Sequence, residues 1–87
     1  MKQNKVTITN ETGLHARPAN QFVQTASQFD SSISIVKGEN QVDAKSILGI
    51  LTLGASKGVE IVLKAEGTDE DMAIQVLSDL VESGLGE

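Results

Sequence analysis

The only histidine of the 87-residue chain, His15, lies in Gly13-Leu14-His15-Ala16-Arg17-Pro18-Ala19, between a glycine loop and the start of a helical pattern. The simplest role for a lone histidine in a small domain is that of a polar residue fitting its loop. Its neighbours point to chemistry instead. At a helix start the amides of Ala16 and Arg17 have no intrahelical partner, and with the helix dipole they make an anion site. Pro18 fixes that turn at no hydrogen-bonding cost, because the amide it lacks would be unpaired there anyway. Arg17 adds a permanent positive charge two residues from the imidazole. A neutral imidazole is a nucleophile toward a phosphoryl donor, and the phosphorylated ring carries new negative charge that this surround can hold. Helix-end stabilisation of an exposed anion is worth about 0.3–1 kcal/mol, a bias small enough for the group to be passed on. Nothing near His15 in the sequence supplies a metal, a general base or a deep pocket. The pattern suits a substrate that other enzymes load and unload, not an enzyme.

The elements that must place this segment follow from the hydropathy periods. Lys5-Val6-Thr7-Ile8-Thr9 alternates, with Val6 and Ile8 on one side, as a half-buried strand does. Asn10 to Gly13 has loop composition. From Ala16 the period becomes helical, with Ala19, Phe22, Val23, Ala26 and Phe29 on one stripe until Asp30-Ser31 breaks it. Ser32 to Val36 alternates again and turns through Lys37-Gly38-Glu39-Asn40 into Gln41-Val42-Asp43. Ser46 fits the N-cap of a short helix, Ile47 to Leu53, that Gly54 ends. Val59, Ile61, Leu63 and Ala65 alternate through a further strand that stops at Gly67. Thr68-Asp69-Glu70-Asp71 resembles a capping box, and Ala73, Val76, Leu77, Leu80 and Val81 stripe a last helix ending at Gly84. The order β-α-β-β-α-β-α, with one apolar face per strand, predicts a single α+β domain over residues 1–87. Its architecture should be an open-faced β-sandwich, a four-stranded antiparallel sheet covered on one face by three helices.

Composition narrows the function classes. Twelve acidic against seven basic residues leave a net charge of −5 at a pI near 4.7, with two Phe and neither Trp nor Tyr. A nucleic-acid binder needs a basic face and stacking rings, so no nucleic-acid partner is expected. The absence of cysteine excludes a disulfide scaffold, a zinc ribbon and thiol chemistry, and a single histidine excludes a multi-histidine metal centre. No metal or cofactor is expected. An RNA- or metal-binding ferredoxin-like module shares the β-α-β-β-α-β order, and the same composition counts against it. No apolar run approaches the ~20 residues of a membrane span, and the amino terminus has no signal-like apolar core. The expectation is a cytoplasmic domain with no membrane partner, acting as a monomer in the way that suits a shuttle.

The short helix carries a second signal. Five of its seven residues are apolar, although a helix lying on a sheet buries only one stripe. At about 100° per residue, Ile50 and Leu53 share one face, while Ile47, Leu48 and Leu51 share another. The second set is expected in solvent, where clustered aliphatics mark a docking surface. The competing reading buries all five under loops. Ser46 is most simply an N-cap, worth about 1 kcal/mol. Asp69-Glu70-Asp71 reads as helix-start residues and not as a metal site.

Residue for residue, Gly13 to Ala19 matches the active-site motif of the HPr family, the histidine-containing phosphocarriers of the bacterial phosphoenolpyruvate-dependent sugar phosphotransferase system. Lys45-Ser46-Ile47-Leu48-Gly49, followed by Leu53-Gly54, resembles that family's regulatory-serine segment. The resemblance extends over the whole chain in length and element order. It implies that enzyme I, charged by phosphoenolpyruvate, phosphorylates His15 on Nδ1, and that enzyme IIA domains of sugar permeases receive the group. It also implies that Arg17 neutralises the phosphate with Ala16 and Pro18 in support, and that Ile47, Leu48 and Leu51 dock partners. Ser46 would be the site of an ATP-dependent kinase and its opposing phosphorylase. Seryl phosphorylation would then attract a transcriptional regulator and serve catabolite regulation. One departure concerns charge. Some family members carry a lysine further along the first helix, whereas here Arg17 is the only basic residue up to Phe29, which predicts weaker steering toward acidic partners.

Overall fold

Strand alternation decides which side of the sheet becomes the core. The computed structural model describes residues 1–85, in which β1 (Lys2–Thr7), β2 (Ser32–Lys37), β3 (Asn40–Asp43) and β4 (Glu60–Glu66) form one antiparallel sheet in the order β1-β4-β2-β3. Val6 lies opposite Ile61, and Ile35 opposite Leu63, so inward residues line up in rows across the strands. Val6, Ile33, Ile35, Ile61, Leu63 and Ala65 are all buried, while Lys5, Ser32 and Glu66 on the other side are exposed. Three helices, α1 (Ala16–Ala26), α2 (Ile47–Leu53) and α3 (Glu70–Glu82), cover the buried face. Helix α3 lies on β1 and β4, α2 lies on β3, and α1 packs against both other helices. This is the open-faced sandwich the alternation predicts.

Three local features differ from the periodic reading. Helix α1 stops at Ala26, before Asp30, and the chain leaves it through tighter turns in which Gln28 N donates to Thr25 O and Phe29 N to Ala26 O. Phe29 still packs against the core, from outside the helix. In α3 the buried face holds Ala73, Ile74, Leu77, Ser78 and Val81, and Val76 is exposed. Ser78 is satisfied on that face, its Oγ accepting a hydrogen bond from Asn4 Nδ2 of β1 at 3.0 Å, so a hydroxyl occupies the stripe beside Ile74. Hydropathy gives that position no weight.

The third difference lies at the start of α3. Asp69, not Thr68, holds the N-cap position, and its side chain makes no bond to its own helix. The carboxylate instead accepts from the amides of Asp30 at 2.9 Å and Ser31 at 3.0 Å and from the Ser31 hydroxyl. Glu70 Oε1 reaches back to accept from Gly67 N at 3.1 Å, which supplies half of the expected capping box one position early. Gly67 permits the approach, because a Cβ there would stand 2.7 Å from Ser31 Cα. The connection from α1 to β2 is thereby tied to the start of α3.

Hydrogen bonds from the Ser31 hydroxyl first, and then from the Asp30 amide, hold the Asp69 carboxyl below its ordinary value. The unfolded chain therefore takes up a proton that the folded chain refuses. The stabilisation is complete above the ordinary carboxylate range, at about pH 4, and is lost as acid protonates the folded carboxyl. Asp69→Asn is expected to lower the urea midpoint at neutral pH and to flatten the loss of stability below about pH 4. Parallel acid limbs for the variant and the native sequence in urea titrations would refute this linkage.

Candidate functional site

The loop that carries His15 is built against the segment that follows α2. The amide of buried Leu14 donates to Ala55 O at 2.9 Å, and Gly13 N donates to Asn10 O at 3.1 Å. Asn10, itself buried, donates from Nδ2 to Gly13 O at 2.7 Å and to Thr12 Oγ1 at 3.4 Å. Beyond β1, Ile8 N donates to Val59 O at 2.9 Å and Gly58 N to Ile8 O at 2.8 Å, so the two segments run together into the loop. On the surface Lys57 Nζ pairs with Glu11 at 2.5 Å, a contact whose exposure keeps its worth small. Leu14 anchors one side of the motif, and buried Pro18 and Ala19 anchor the other. His15, Ala16 and Arg17 between these anchors are exposed.

His15 occupies the N-cap position of α1, in extended backbone at φ −106° and ψ −175°. Its carbonyl accepts the first helical bond, from Ala19 N at 2.7 Å. Its side chain makes no cap bond, so the ring is not committed to its own helix. Among the described residues the amides of Ala16 and Arg17 donate to no backbone or side-chain acceptor, as helix geometry requires unless a cap intervenes. The first turn holds no acidic residue, so no carboxylate of that turn competes for the positive end of the dipole. Arg17 is exposed and enters no ion pair among the described residues. The first turn of α1 thus holds, beside His15, two amides and one guanidinium that no protein group engages among the described residues.

Helix α2 divides its apolar residues as its geometry predicts. Ile50 and Leu53 are buried, while Ile47 is 36%, Leu48 72% and Leu51 38% exposed. Ser46 Oγ accepts from Gly49 N at 3.2 Å, so the serine is the N-cap, and Gly54 ends the helix in the left-handed region at φ 67°. Lys37 Nζ donates to the terminal carbonyl of Leu53 at 3.2 Å, placing a cation at the negative end of the dipole. Lys45 fixes the turn ahead of Ser46 by donating from its amide to Asp43 Oδ1 and from Nζ to Phe29 O. The exposed patch lies on a helix packed against α1, whose following residues bond the His15 loop. Ser46 stands at the opposite end of α2, about 10 Å along a helix of this length. The structure thus joins the His15 loop to the carboxyl end of the helix that carries the patch, and sets Ser46 at that helix's other end.

Sequence reading missed Asn10 and Ala55. Asn10 carries only a generic loop signal, although its partners Thr12 and Gly13 lie within three residues of it. Ala55 contributes its backbone carbonyl, which has no signature in any sequence. Among the described residues no helix is long and apolar enough to cross a membrane.

Comparison with known proteins fits this geometry. The family model described as the PTS HPr component phosphorylation site matches residues 2–83. Phosphocarrier protein HPr of Neisseria meningitidis serogroup A is 44% identical over 87 residues, spanning 100% of this chain and 98% of the relative. The crystal structure of HPr-C-His from Thermoanaerobacter tengcongensis superposes with a TM-score of 0.97 at 55% identity, covering 100% of this chain and 98% of that one. An HPr dimer from the same organism superposes with a TM-score of 0.80 at 55% identity, covering 100% of both chains. Relatives solved as dimers leave the expected monomer without support. The match in family, sequence and backbone runs through both the His15 segment and the sheet beneath it, and the chain belongs to the HPr family, the phosphocarriers of the sugar phosphotransferase system.

Proposed function

We propose that the chain is one carrier domain in which His15 accepts a phosphoryl group from phosphorylated enzyme I and passes it to enzyme IIA domains of sugar permeases. The observation that carries this reading is the exposed, uncommitted His15 side chain at the start of a helix whose first amides have no partner. The Nδ1 lone pair attacks phosphorus, the bond to the donor breaks with its electron pair leaving on the donor, and the negatively charged group arrives beside Ala16 and Arg17. Amides and guanidinium hold it by charge-assisted hydrogen bonds, and Pro18 keeps the turn in shape. No group in this arrangement breaks the new bond, so discharge belongs to the receiving enzyme. The carrier is a shared substrate and not a catalyst.

Enzyme I and enzyme IIA dock on Ile47, Leu48 and Leu51, whose exposed aliphatic surface lies on the helix that leads into the Ala55 contact with the His15 loop. Phosphorylation of Ser46 by an ATP-dependent kinase, reversed by a phosphorylase, regulates that docking. The added charge of about −1.5 to −2 sits at the start of α2, where dipole and free amides favour it, so the helix is kept. The same charge lies beside the patch, and desolvating it opposes the arrival of an apolar partner. A transcriptional regulator that reads seryl phosphate would find its ligand at the same place.

Incubation with phosphoenolpyruvate and enzyme I is expected to give acid-labile, base-stable phosphate on the native sequence and none on His15→Ala with the fold intact. Full labelling of that variant would move the site elsewhere. Arg17→Ala should still be labelled but exchange phosphate about tenfold or more slowly, the worth of a charged hydrogen bond, and unchanged rates would remove Arg17 from the site.

Leu48→Glu is expected to weaken binding to enzyme I and to enzyme IIA about tenfold or more while barely moving Tm, since the side chain is already 72% exposed. Intact affinity with a lowered Tm would instead make Leu48 a packing residue. For Ser46→Asp, calorimetric titration against enzyme I should show weakened binding with unchanged helical circular dichroism, because aspartate also caps helices well. Equal affinity, or loss of α2, would defeat the proposed regulation.

A further inference from the structure

We infer that Gly13 is a positioning residue for phosphoryl transfer, acting through the backbone of Ala55 and Ser56. The inference rests on the reading of His15 as the acceptor. Gly13 is buried and lies in the left-handed region at φ 64°. A Cβ on it would stand 2.4 Å from Ala55 O and 2.7 Å from Ser56 Cα. Both are main-chain atoms, so no side-chain rotation relieves the clash. The Ala55 carbonyl that walls off residue 13 also accepts the Leu14 amide at 2.9 Å. A side chain at 13 therefore pushes apart the very groups that anchor Leu14, and the next residue is His15. From the other side Asn10 grips Gly13 twice, accepting its amide and donating to its carbonyl, so the loop cannot swing clear.

Ala55 follows α2 directly after Gly54, and α2 carries the exposed patch. A partner seated on Ile47, Leu48 and Leu51 meets His15 at a distance that the Gly13–Ala55 contact sets. Transfer needs reacting atoms about 3–3.5 Å apart and aligned, and a misplacement of about 1 Å can cost about 100-fold in rate. Affinity, which resides in the patch, is indifferent to that displacement. Gly13 thus acts on turnover and not on docking.

Gly38 provides the control, since its φ of 60° imposes the same backbone strain while nothing lies within 4 Å of a Cβ built on it. Initial rates of enzyme I-dependent labelling from phosphoenolpyruvate, measured against carrier concentration, should show kcat down about tenfold or more for Gly13→Ala at nearly unchanged KM. Gly38→Ala should keep both constants. Equal kcat for the two variants overturns the proposal, as does a rise in KM at constant kcat. Should Gly13→Ala fail to fold by circular dichroism, Asn10→Ala releases the Gly13 carbonyl without adding atoms. It is expected to lower kcat at constant KM, and an unchanged kcat overturns the proposal equally. Absence of label on the native sequence would instead remove the acceptor reading itself, and this inference with it.

Discussion

A sheet covered on one side has room for one apolar stripe from each helix, and the rest of the molecule follows from that limit. The inward rows of β1, β2 and β4 are filled by β-branched and aliphatic side chains and closed above by Phe22, Ile50 and Leu77, one large residue from each helix. Helix α2 brings more aliphatic surface than this arrangement can hide. Ile50 and Leu53 take the available space, which leaves Ile47, Leu48 and Leu51 facing water. Burying a leucine side chain is worth roughly 1.5–3 kcal/mol, so this exposed surface is a reserve of binding energy left unused by folding.

The three helix starts show how charge is arranged around that apolar surface. Ser46 supplies α2 with an oxygen from its own chain, and Glu70 turns back to meet the Gly67 amide just ahead of α3. Helix α1 has neither device, since its N-cap side chain makes no bond and its first turn holds no acid. An uncapped start forgoes about 1 kcal/mol of helix stability, which Phe22 and Ala19 offset by complete burial on the same helix. The open donors are therefore maintained by packing one turn and more away.

Most of the fold and the arrangement of the candidate site are legible in the residues. Alternation in Ser32 to Val36 and in Val59 to Ala65 is a local signal, and so is the helical spacing that sends Leu48 and Leu53 to opposite faces of α2. His15 announces itself through Arg17 and Pro18 beside it. What escapes is non-local. Ser78 belongs to the buried face of α3 only because Asn4, distant in the chain, supplies a donor to it. Asp69 reads as a helix-start residue, and only the fold, by bringing Ser31 against it, shows that its carboxylate serves a different connection. The Ala55 carbonyl beneath the His15 loop is invisible for a further reason: every residue has one, and only tertiary structure selects which is used.

Among the described residues the first amides of α1 have no protein acceptor, so an anion that binds them breaks no bond within the protein. On the proposed carrier role, loading His15 would then add charge without asking the backbone to rearrange. A protein with this property would serve as a courier. Under that proposal neither form waits on a refolding step. The direction of traffic is then set at its two ends, by the supply of donor and the demand of acceptor, and the courier itself imposes none.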